Sequence, residues 1–380
     1  MSTSQSNHNA EAKTAERTSP LRMRRWQIDG YNGLEGVTLA SGRVPPISKP
    51  GDLLIKVSAS SVNPIDTAMI SGYGNGMLNI MRLMDQFQQG IFDINQIEFP
   101  LTVGRDFAGE IVAVGQGVTK YSVGDRVFGV VSPQSQGSHA EYVVASGVNV
   151  CKVPRDTSLE DAASIPYVGL TAWSAAVVSG MMFKNTAPGS RILILGASGG
   201  VGTFLCQMLS AWGAEVVGVC SSDAMDFVLS VGATHALNYK DPATKELLIA
   251  DGGFKLVIDA AGTDDMDYLK ALKPWVGSSY VTLSPPFLRN TDDLGIAGGL
   301  AKSVRQVVCK NATSLSEGRA YKWAFYMPNP WALQQIANMI SENKIRAVID
   351  KVFPFEEVPT AYEHVLNGHA RGKTVINVSE

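Results

Sequence analysis

The sequence predicts a two-domain α/β protein, in which a β-rich domain split in sequence is interrupted by a doubly wound parallel-sheet domain. Three observations carry the prediction. From Trp26 to about Pro154, short β-type runs alternate with Gly and Pro punctuation. From about Pro166 the rhythm changes to alternating helix and strand, with strands almost continuously apolar, as expected where helices cover both faces of a parallel sheet. After Trp331 the chain returns to short strands bounded by Pro354 and Gly372, which read as part of the first domain. The partition is therefore residues 21–165 with 345–380 for the β-rich domain and 166–344 for the inserted one. Residues 1–20 are polar and read as a disordered tail.

Taken in order, the β-rich part offers strands at Leu53–Ala59, Ala108–Val114, Asp125–Val131 and Ala140–Val144. Turn signals at Pro50-Gly51, Gly115-Gln116-Gly117 and Gly124-Asp125 separate them, a pattern that suggests an antiparallel barrel or sandwich. Met77 to Ile97 reads as an inserted helix whose Met77, Met81 and Met84 are expected to fill core, with a pliable wall beside a ligand cleft as the alternative. The inserted domain offers strands at Ile192–Leu195, Glu215–Val219, His235–Tyr239, Leu256–Ala260 and Tyr280–Ser284. A helix from Ala332 to Glu342 then leads to a strand at Ile345–Phe353, another helix, and a last strand at Thr374–Val378.

Composition narrows the function. With 45% apolar and 18% charged residues, the 380-residue chain can build two cores and is too apolar for general disorder. The balance of 32 basic against 35 acidic residues leaves no electrostatic footprint for nucleic acid. No apolar run reaches the ~18 residues of a membrane span. Cys151, Cys206, Cys220 and Cys309 are scattered, which fits a reducing compartment better than a disulfide framework or a metal cluster. Arg17, Arg22, Arg24 and Arg25 follow a Ser/Thr-rich start, a partial likeness to a mitochondrial transit peptide that Glu11 and Glu16 spoil.

The most informative stretch runs from Arg191 to Trp212. A strand leads into Gly196-x-x-Gly199-Gly200-x-Gly202, and a helix follows with one apolar stripe at Val201, Phe204, Leu205, Met208, Leu209 and Trp212. In such a turn one glycine makes the bend, one lets backbone approach a pyrophosphate, and one lets helix and strand pack closely. The helix N-terminus then offers unpaired N–H groups to phosphate oxygens. Strand, glycine turn, amphipathic helix and second strand together predict dinucleotide binding.

The second strand ends in Val219-Cys220-Ser221-Ser222, where an acid gripping the ribose hydroxyls would favour NAD. Hydroxyls in that place remove repulsion against a 2′-phosphate, and Tyr239 with Lys240 can add a hydrogen bond and a positive charge. The expectation is therefore NADPH over NADH. Asp223 argues the other way, and reads as the N-cap of a helix Ala224–Val231 closed by Gly232.

Several segments then resemble the medium-chain dehydrogenase/reductase superfamily over Trp26 to Val378. They are Asn63-Pro64-Ile65-Asp66, Gly104-Arg105-Asp106-Phe107-Ala108-Gly109, Gly124-Asp125-Arg126-Val127, Leu170-Thr171-Ala172-Trp173 and the glycine turn. Ser71–Gly74, Phe99–Thr102, Tyr321–Tyr326 and Gly368–Asn377 narrow the likeness to the zinc-free quinone oxidoreductases and, among these, the mitochondrial reticulon-interacting branch. The resemblance implies a GroES-like β-barrel domain with an inserted Rossmann domain. It also implies an NADPH-dependent quinone reductase of mitochondria, associated with ubiquinone biosynthesis and redox defence; a cytoplasmic location is the alternative. Partners implied are a quinone or enone substrate, a second copy of the chain in a homodimer, and a reticulon or ubiquinone-biosynthesis protein.

Residue by residue, the resemblance places Ser198, Gly199, Gly200 and Val201 at the pyrophosphate, and Ser221, Tyr239 and Lys240 at the adenosine end. Thr171 and Leu283 would flank the nicotinamide. Phe325 or Tyr326, and the segment His369-Ala370-Arg371, would close over the coenzyme. Zinc-dependent relatives use a Cys where Asn63 stands and a His-Glu pair where Arg105-Asp106 stand. An amide and a guanidinium cannot replace those ligands, so no zinc is expected. His139 and His369 read as isolated structural histidines, and Asp66, Arg105 and Asp106 as an ion-paired packing group. Arg371 and Lys373 read as either a solvated surface pair or phosphate-side cations.

Without a Lewis acid the site suits an acceptor already primed for hydride, such as a quinone or an α,β-unsaturated carbonyl. Tyr73 is the first candidate donor to the developing oxyanion, since zinc-free enoyl-thioester reductases of the superfamily use a tyrosine in that region. Asn63, through its amide N–H, is the second. The competing reading is a turn-forming Asn-Pro and a packing tyrosine. Three functions stay open: quinone reductase, 2-enoyl reductase, and an NADPH-binding partner protein without catalysis.

Overall fold

A computed structural model of the chain describes residues 21–88, 90, 97–368 and 370–379. The expectation for residues 1–20 lies outside the described residues, as do the last part of the Met77–Ile97 insert and His369. No helix among the described residues is long and apolar enough to cross a membrane.

Six parallel strands form the sheet of the inserted region. Its order is His235–Asn238, Glu215–Cys220, Arg191–Leu195, Leu256–Asp259, Ser278–Thr282 and Arg319–Trp323. Numbered along the chain from Arg191 this is 3-2-1-4-5-6, the doubly wound order whose reversal opens a crevice at the carboxyl ends of the first and fourth strands. The glycine turn leaves the first strand at that crevice. Core on one face comes from Ile192, Ile194, Leu205, Leu209 and Val216, and on the other from Leu193, Val217, Val257 and Tyr280, so alternate residues serve opposite faces.

The remaining strands divide into a three-stranded sheet of Thr38–Arg43, Arg22–Ile28 and Leu101–Thr102, and a seven-stranded one. In the larger sheet the order is Ile349–Pro354, Lys373–Asn377, Asp52–Val62, Asp106–Val114, Arg126–Val130 and Val150–Lys152. Tyr142–Ser146 also pairs with Asp52–Val62, off that path. Among the described residues no ladder joins the ends into a closed barrel. The last strand lies antiparallel to Asp52–Val62, with Thr374 opposite Val62 and Asn377 opposite Ala59. The returning chain therefore sits in the same sheet as the first β segment, and it carries Gly372 and Lys373 to the edge of the crevice.

Three expectations are corrected. The inserted helix is Asn75–Gln88, and its buried side chains are Leu78 and Arg82. Met84 is 60% exposed and Met81 lies at the surface, so these methionines are not core filler; the helix packs instead against a long helix, Phe287–Ser314. Asp223 caps nothing: the segment opens as a short 3-10 turn, Ser222–Ala224, and the helix Met225–Ser230 has no side-chain cap. Its carboxylate reaches across to Arg371 instead. Lys373 is not a surface residue, since the strand Lys373–Asn377 turns its side chain into the protein, leaving 5% exposed.

Candidate active site at the domain joint

The three glycine roles can be read off separately. Gly196 has φ +79, and a Cβ there would stand 2.9 Å from the Ala261 nitrogen, so the bend needs glycine. A Cβ on Gly202 would lie 2.1 Å from the Gly196 carbonyl oxygen, which sets the close packing of helix on strand. Gly199 differs: its backbone is extended (φ −77, ψ 175), and a Cβ would meet only the Gly196 oxygen at 3.6 Å. Open space stands in front of it. The helix Gly200–Ala211 that starts there has no side-chain cap. Its first N–H groups lack intrahelical acceptors, as in any helix, and together with the glycine concavity they fit a pyrophosphate.

The returning chain completes this loop. Gly372 N–H donates to the Ser198 carbonyl at 3.1 Å, and Gly199 and Gly372 form a parallel bridge. At the far end Ser221 and Tyr239 follow adjacent strands, whose register sets Cys220 beside Asn238. Tyr239 is 55% exposed, and the Lys240 ammonium lies 5.9 Å from its ring centre. Arg371 pairs with Asp223 here, and Ala370 stands beside it in the chain. The Asp223 carboxyl is held below its ordinary range, first by the Ser221 hydroxyl and then by Arg371 among smaller causes. The returning chain thus touches both ends of this side of the sheet, through Gly372 at the Ser198–Gly199 turn and through Arg371 at Asp223 beside Ser221.

Lys373 ties that turn to a buried polar cluster. Its stem lies against the phosphate loop, since a Cβ on Gly200 would come within 3.0 Å of the Lys373 Cδ. Its ammonium donates to the Val62 carbonyl at 3.0 Å and to the Asn63 side-chain carbonyl, and stands 3.6 Å from the Asp106 carboxylate. Asp106 also accepts from Ser61 Oγ at 2.6 Å, Asn63 Nδ2 at 2.8 Å and the Tyr167 backbone N–H at 2.7 Å. Asp66 accepts from the Asn63 backbone N–H at 2.8 Å and lies 3.7 Å from Arg105 Nε, so two of the three residues expected to pair do so, while Asp106 pairs with Lys373 instead. Burial pushes the Asp66 carboxyl up to about 6, against the opposing pull of Arg105. Burial likewise raises Asp106 and lowers Lys373. His139, wholly buried, is pushed down to about 3, so its ring stays neutral.

Asn63 therefore has no exposed surface, and its amide is engaged at both ends, by Asp106 and by Lys373. Tyr73 is not brought to this cluster. The charges acting on its hydroxyl are Asp292 and Arg289 of the long helix, and burial together with Asp292 raises it. Asp292 accepts from the Gly74 and Gly76 N–H groups at 2.7 and 3.1 Å, which pins the Tyr73 loop to that helix. Thr171, expected beside the nicotinamide, is 8% exposed, with its hydroxyl donating to the Tyr167 carbonyl at 2.7 Å. Leu283 follows the strand Ser278–Thr282 and is partly buried beside this joint, while Phe325 lies at the surface. Tyr326 is the informative member. Its ring stacks on Tyr167 at 4.5 Å, and its hydroxyl is buried without a hydrogen-bond partner. Burial first, and then the charge of Asp106, pushes that hydroxyl above its ordinary range.

Sequence reasoning missed Lys373 as the link between loop and cluster. The signal was available as a lysine inside the specific Gly368–Asn377 segment, for which the sequence offered a surface or a phosphate-side place but not a buried one.

Comparison with known proteins fits this architecture. The family description "Alcohol dehydrogenase GroES-like domain" matches residues 49–155, and "Zinc-binding dehydrogenase" matches residues 231–376. The zinc in that description does not fit the donors here: a buried amide, a guanidinium and two carboxylates already engaged by cations and N–H groups. Among the described residues no group of three His, Cys, Asp or Glu side chains could hold a metal ion. The mitochondrial NAD(P)H oxidoreductase RTN4IP1 of Bos taurus is 43% identical over 365 residues, covering 95% of this chain and 91% of that protein. Its Homo sapiens counterpart is 42% identical over the same shares. The quinone oxidoreductase from Coxiella burnetii superposes with a TM-score of 0.73 at 27% identity, covering 94% of this chain and all of that one. The chain belongs to the medium-chain dehydrogenase/reductase superfamily, in the family of the RTN4IP1 NAD(P)H oxidoreductases, and is an oxidoreductase that uses a nicotinamide coenzyme.

Proposed function

We propose that the chain is a zinc-independent, NADPH-dependent reductase that delivers hydride to a quinone, acts in mitochondria, and serves ubiquinone biosynthesis and redox defence. The observation that carries the reading is a juxtaposition. An uncapped glycine loop and a buried donor without a partner, the Tyr326 hydroxyl, meet at one joint that Lys373 holds together. The family likeness supports the quinone, since the relatives include the chloroplast envelope quinone oxidoreductase homolog of Arabidopsis thaliana, 28% identical over 91% of this chain and 94% of that one. Pairing of Asp223 with Arg371 supports NADPH, because the acid next to Ser221 and Ser222 is neutralised where a 2′-phosphate would sit.

Gly199, Gly200, Val201 and Ser198 would hold the pyrophosphate, and Ser221, Tyr239, Lys240 and Arg371 the adenosine end. When bound, the reduced nicotinamide supplies the hydride. Tyr326 donates a hydrogen bond to the oxygen on which negative charge develops, and its neutral hydroxyl is kept protonated by burial. Asn63, Asp106 and Lys373 act as positioning residues: Asp106 fixes the Tyr167 backbone, and Tyr167 carries the stacked ring of Tyr326. Tyr73 stays a second candidate donor, on the wall formed with the long helix.

The test is steady-state NADPH oxidation by the full chain against a panel of quinones and 2-enoyl thioesters, beside NADPH and NADH titrations. Quinone turnover should exceed enoyl turnover, and NADPH should bind the more tightly. Tyr326→Phe should lower kcat about 10²-fold, the scale of losing one oxyanion donor. Its melting temperature should not fall, because the lost hydroxyl has no partner. Faster turnover of the enoyl thioester would replace the acceptor. Equal affinity for NADH would overturn the coenzyme choice. Tight NADPH binding with no oxidation across the panel would leave an NADPH-binding partner protein.

A further inference from the structure

A cavity of about 460 Å³ lies away from the proposed coenzyme site, and no residue of the glycine loop or of the Asn63 cluster lines it. Its walls are the helix Asn75–Gln88, the loop Ser132–Gly137, the strand Tyr142–Ser146 and the segment around Arg43–Asp52. Hydrogen-bond accounting at these walls does not close. Arg82, 5% exposed, uses Nε on the Gln134 carbonyl at 3.0 Å and Nη1 on Asn79 Oδ1 at 2.8 Å and Glu98 Oε1 at 2.6 Å. Its Nη2 is buried and has no partner. Thr102, 1% exposed, is fixed through its backbone, which accepts from Gly137 N–H at 2.8 Å and donates to Gln136 Oε1 at 2.7 Å. Its hydroxyl has no partner either, and neither has the side-chain oxygen of Gln134. Folded proteins leave few buried polar atoms unpaired. Here two donors and one acceptor are orphaned around the same cavity.

Charge points to the chemistry of the occupant. Lys49 is offset by Asp85 at 3.3 Å, and Arg82 by Glu98. Arg25 and Arg43 also line the cavity, and among the described residues neither has a carboxylate partner. Asp52 also lines the cavity, and burial raises its carboxyl against the opposing pull of Lys49. The volume lies within the ordinary range for small-molecule sites. We propose that this cavity is a second ligand site, separate from the coenzyme and acceptor sites, for a small anion bearing a carboxylate or phosphate beside a hydroxyl group. Arg82 Nη2 and the Thr102 hydroxyl bind the anionic oxygens, Gln134 accepts from the hydroxyl, and Arg25 and Arg43 supply the surrounding positive field. The loop that forms the floor also fixes Arg105, whose Nη1 donates to the Ser132, Pro133 and Ser135 carbonyls at 2.8, 3.0 and 3.1 Å. An occupant therefore touches the loop that orients one member of the buried cluster.

The experiment is calorimetric titration of the full chain, saturated with NADPH so that its phosphate cradle is filled, at constant ionic strength in chloride. The probes are malate, succinate, glycerol 3-phosphate and inorganic phosphate. A single saturable site is expected, with malate or glycerol 3-phosphate binding better than the matching probe that lacks a hydroxyl. The stronger of those two identifies carboxylate or phosphate as the anionic group. Thr102→Val, which keeps both backbone contacts, should weaken that probe about five- to tenfold, and Arg82→Gln should abolish its binding. Should Arg82→Gln fail to fold after losing Glu98, the Thr102→Val comparison decides. No saturable binding of any probe up to about 10 mM, binding unchanged by Thr102→Val, or binding that appears only without NADPH would each overturn the proposal.

Discussion

Two alanine substitutions three positions apart should separate coenzyme binding from folding. At Gly199 the backbone is one that any residue adopts, and the added methyl would touch only the Gly196 oxygen at 3.6 Å. Losing glycine in favour of alanine at the helix N-cap costs about 0.5–1 kcal/mol. The stiffer unfolded chain offsets about 0.4–1 kcal/mol of that. Stability should therefore stay within about 0.5 kcal/mol, a shift of a degree or two in Tm for a chain of this size. Binding should respond differently, because the methyl enters the open front of the loop. Lengthening even one charge-assisted hydrogen bond to phosphate forfeits about 1.5–3 kcal/mol, a rise in NADPH Kd of roughly 10- to 100-fold. At Gly202 the order reverses. A Cβ 2.1 Å from the Gly196 oxygen and 2.7 Å from Ala197 Cα collides with backbone that cannot swing aside. That overpacking should destabilise by about 1–3 kcal/mol or more. Thermal melts and fluorescence titration with NADPH on both variants check the pair. Wild-type NADPH affinity in a folded Gly199→Ala protein would refute the reasoning, because the space in front of Gly199 would then not be where a pyrophosphate lies.

The other perturbations act on the charges at the joint. Lys373→Met strands the buried Asp106 carboxylate, so urea unfolding should show a loss of about 3–5 kcal/mol, much of it restored by adding Asp106→Asn. Asp223→Ala frees Arg371 for a 2′-phosphate, so NADPH affinity should rise about three- to tenfold while NADH affinity changes little, and the gain should shrink in high salt. Asp66 gives a pH dependence: its folded-state value near 6 lies above its unfolded value near 4, so the unfolded chain binds fewer protons in between. Stability from this group is complete below about pH 4 and lost as pH rises through about 6, by about 3 kcal/mol. Wild type should therefore lose stability relative to Asp66→Asn over that window, and parallel stability curves for the two proteins would contradict the burial argument.

Elements whose burial follows apolar periodicity were legible from sequence, and those whose burial does not were missed. The strands Arg191–Leu195, Glu215–Cys220 and Leu256–Asp259 are apolar runs, and their expected ends differ from the observed ones by one residue at most. The long helix Phe287–Ser314 escaped because its buried residues are Asn290, Thr291, Gly299, Ser303 and Ser314, small or polar throughout. No hydrophobic stripe announces it. Its break at Gly295 is braced by Asn290, which donates to Ser303 at 2.9 Å and Gln306 at 2.8 Å, contacts invisible to a periodicity count. The sixth strand, Arg319–Trp323, was missed for a related reason: it carries Arg319 and Lys322 and pairs on only one side.

The site divides along the same physical line. A phosphate loop is largely local, because Gly196 takes a positive φ and Gly199 and Gly202 face Gly196 and Ala197, with Ala261 a distant neighbour, and so sequence places it. The donor cluster is non-local. Asn63, Asp106 and Lys373 lie up to 310 residues apart, and only the antiparallel pairing of Lys373–Asn377 with Asp52–Val62 brings them together. A lysine read from its neighbours belongs at the surface, since burial of an unpaired ammonium is prohibitive. It is tolerated here because Asp106, Asn63 and the Val62 carbonyl converge on it from the first β segment. That convergence has a consequence for function. The same side chain whose stem rests on Gly200 holds the Asn63 amide, and Asp106 fixes the Tyr167 backbone, so a coenzyme that shifts the loop acts on the groups that position Tyr326. In the proposed reaction, coupling between coenzyme seating and donor placement would run through one buried lysine, without a moving lid.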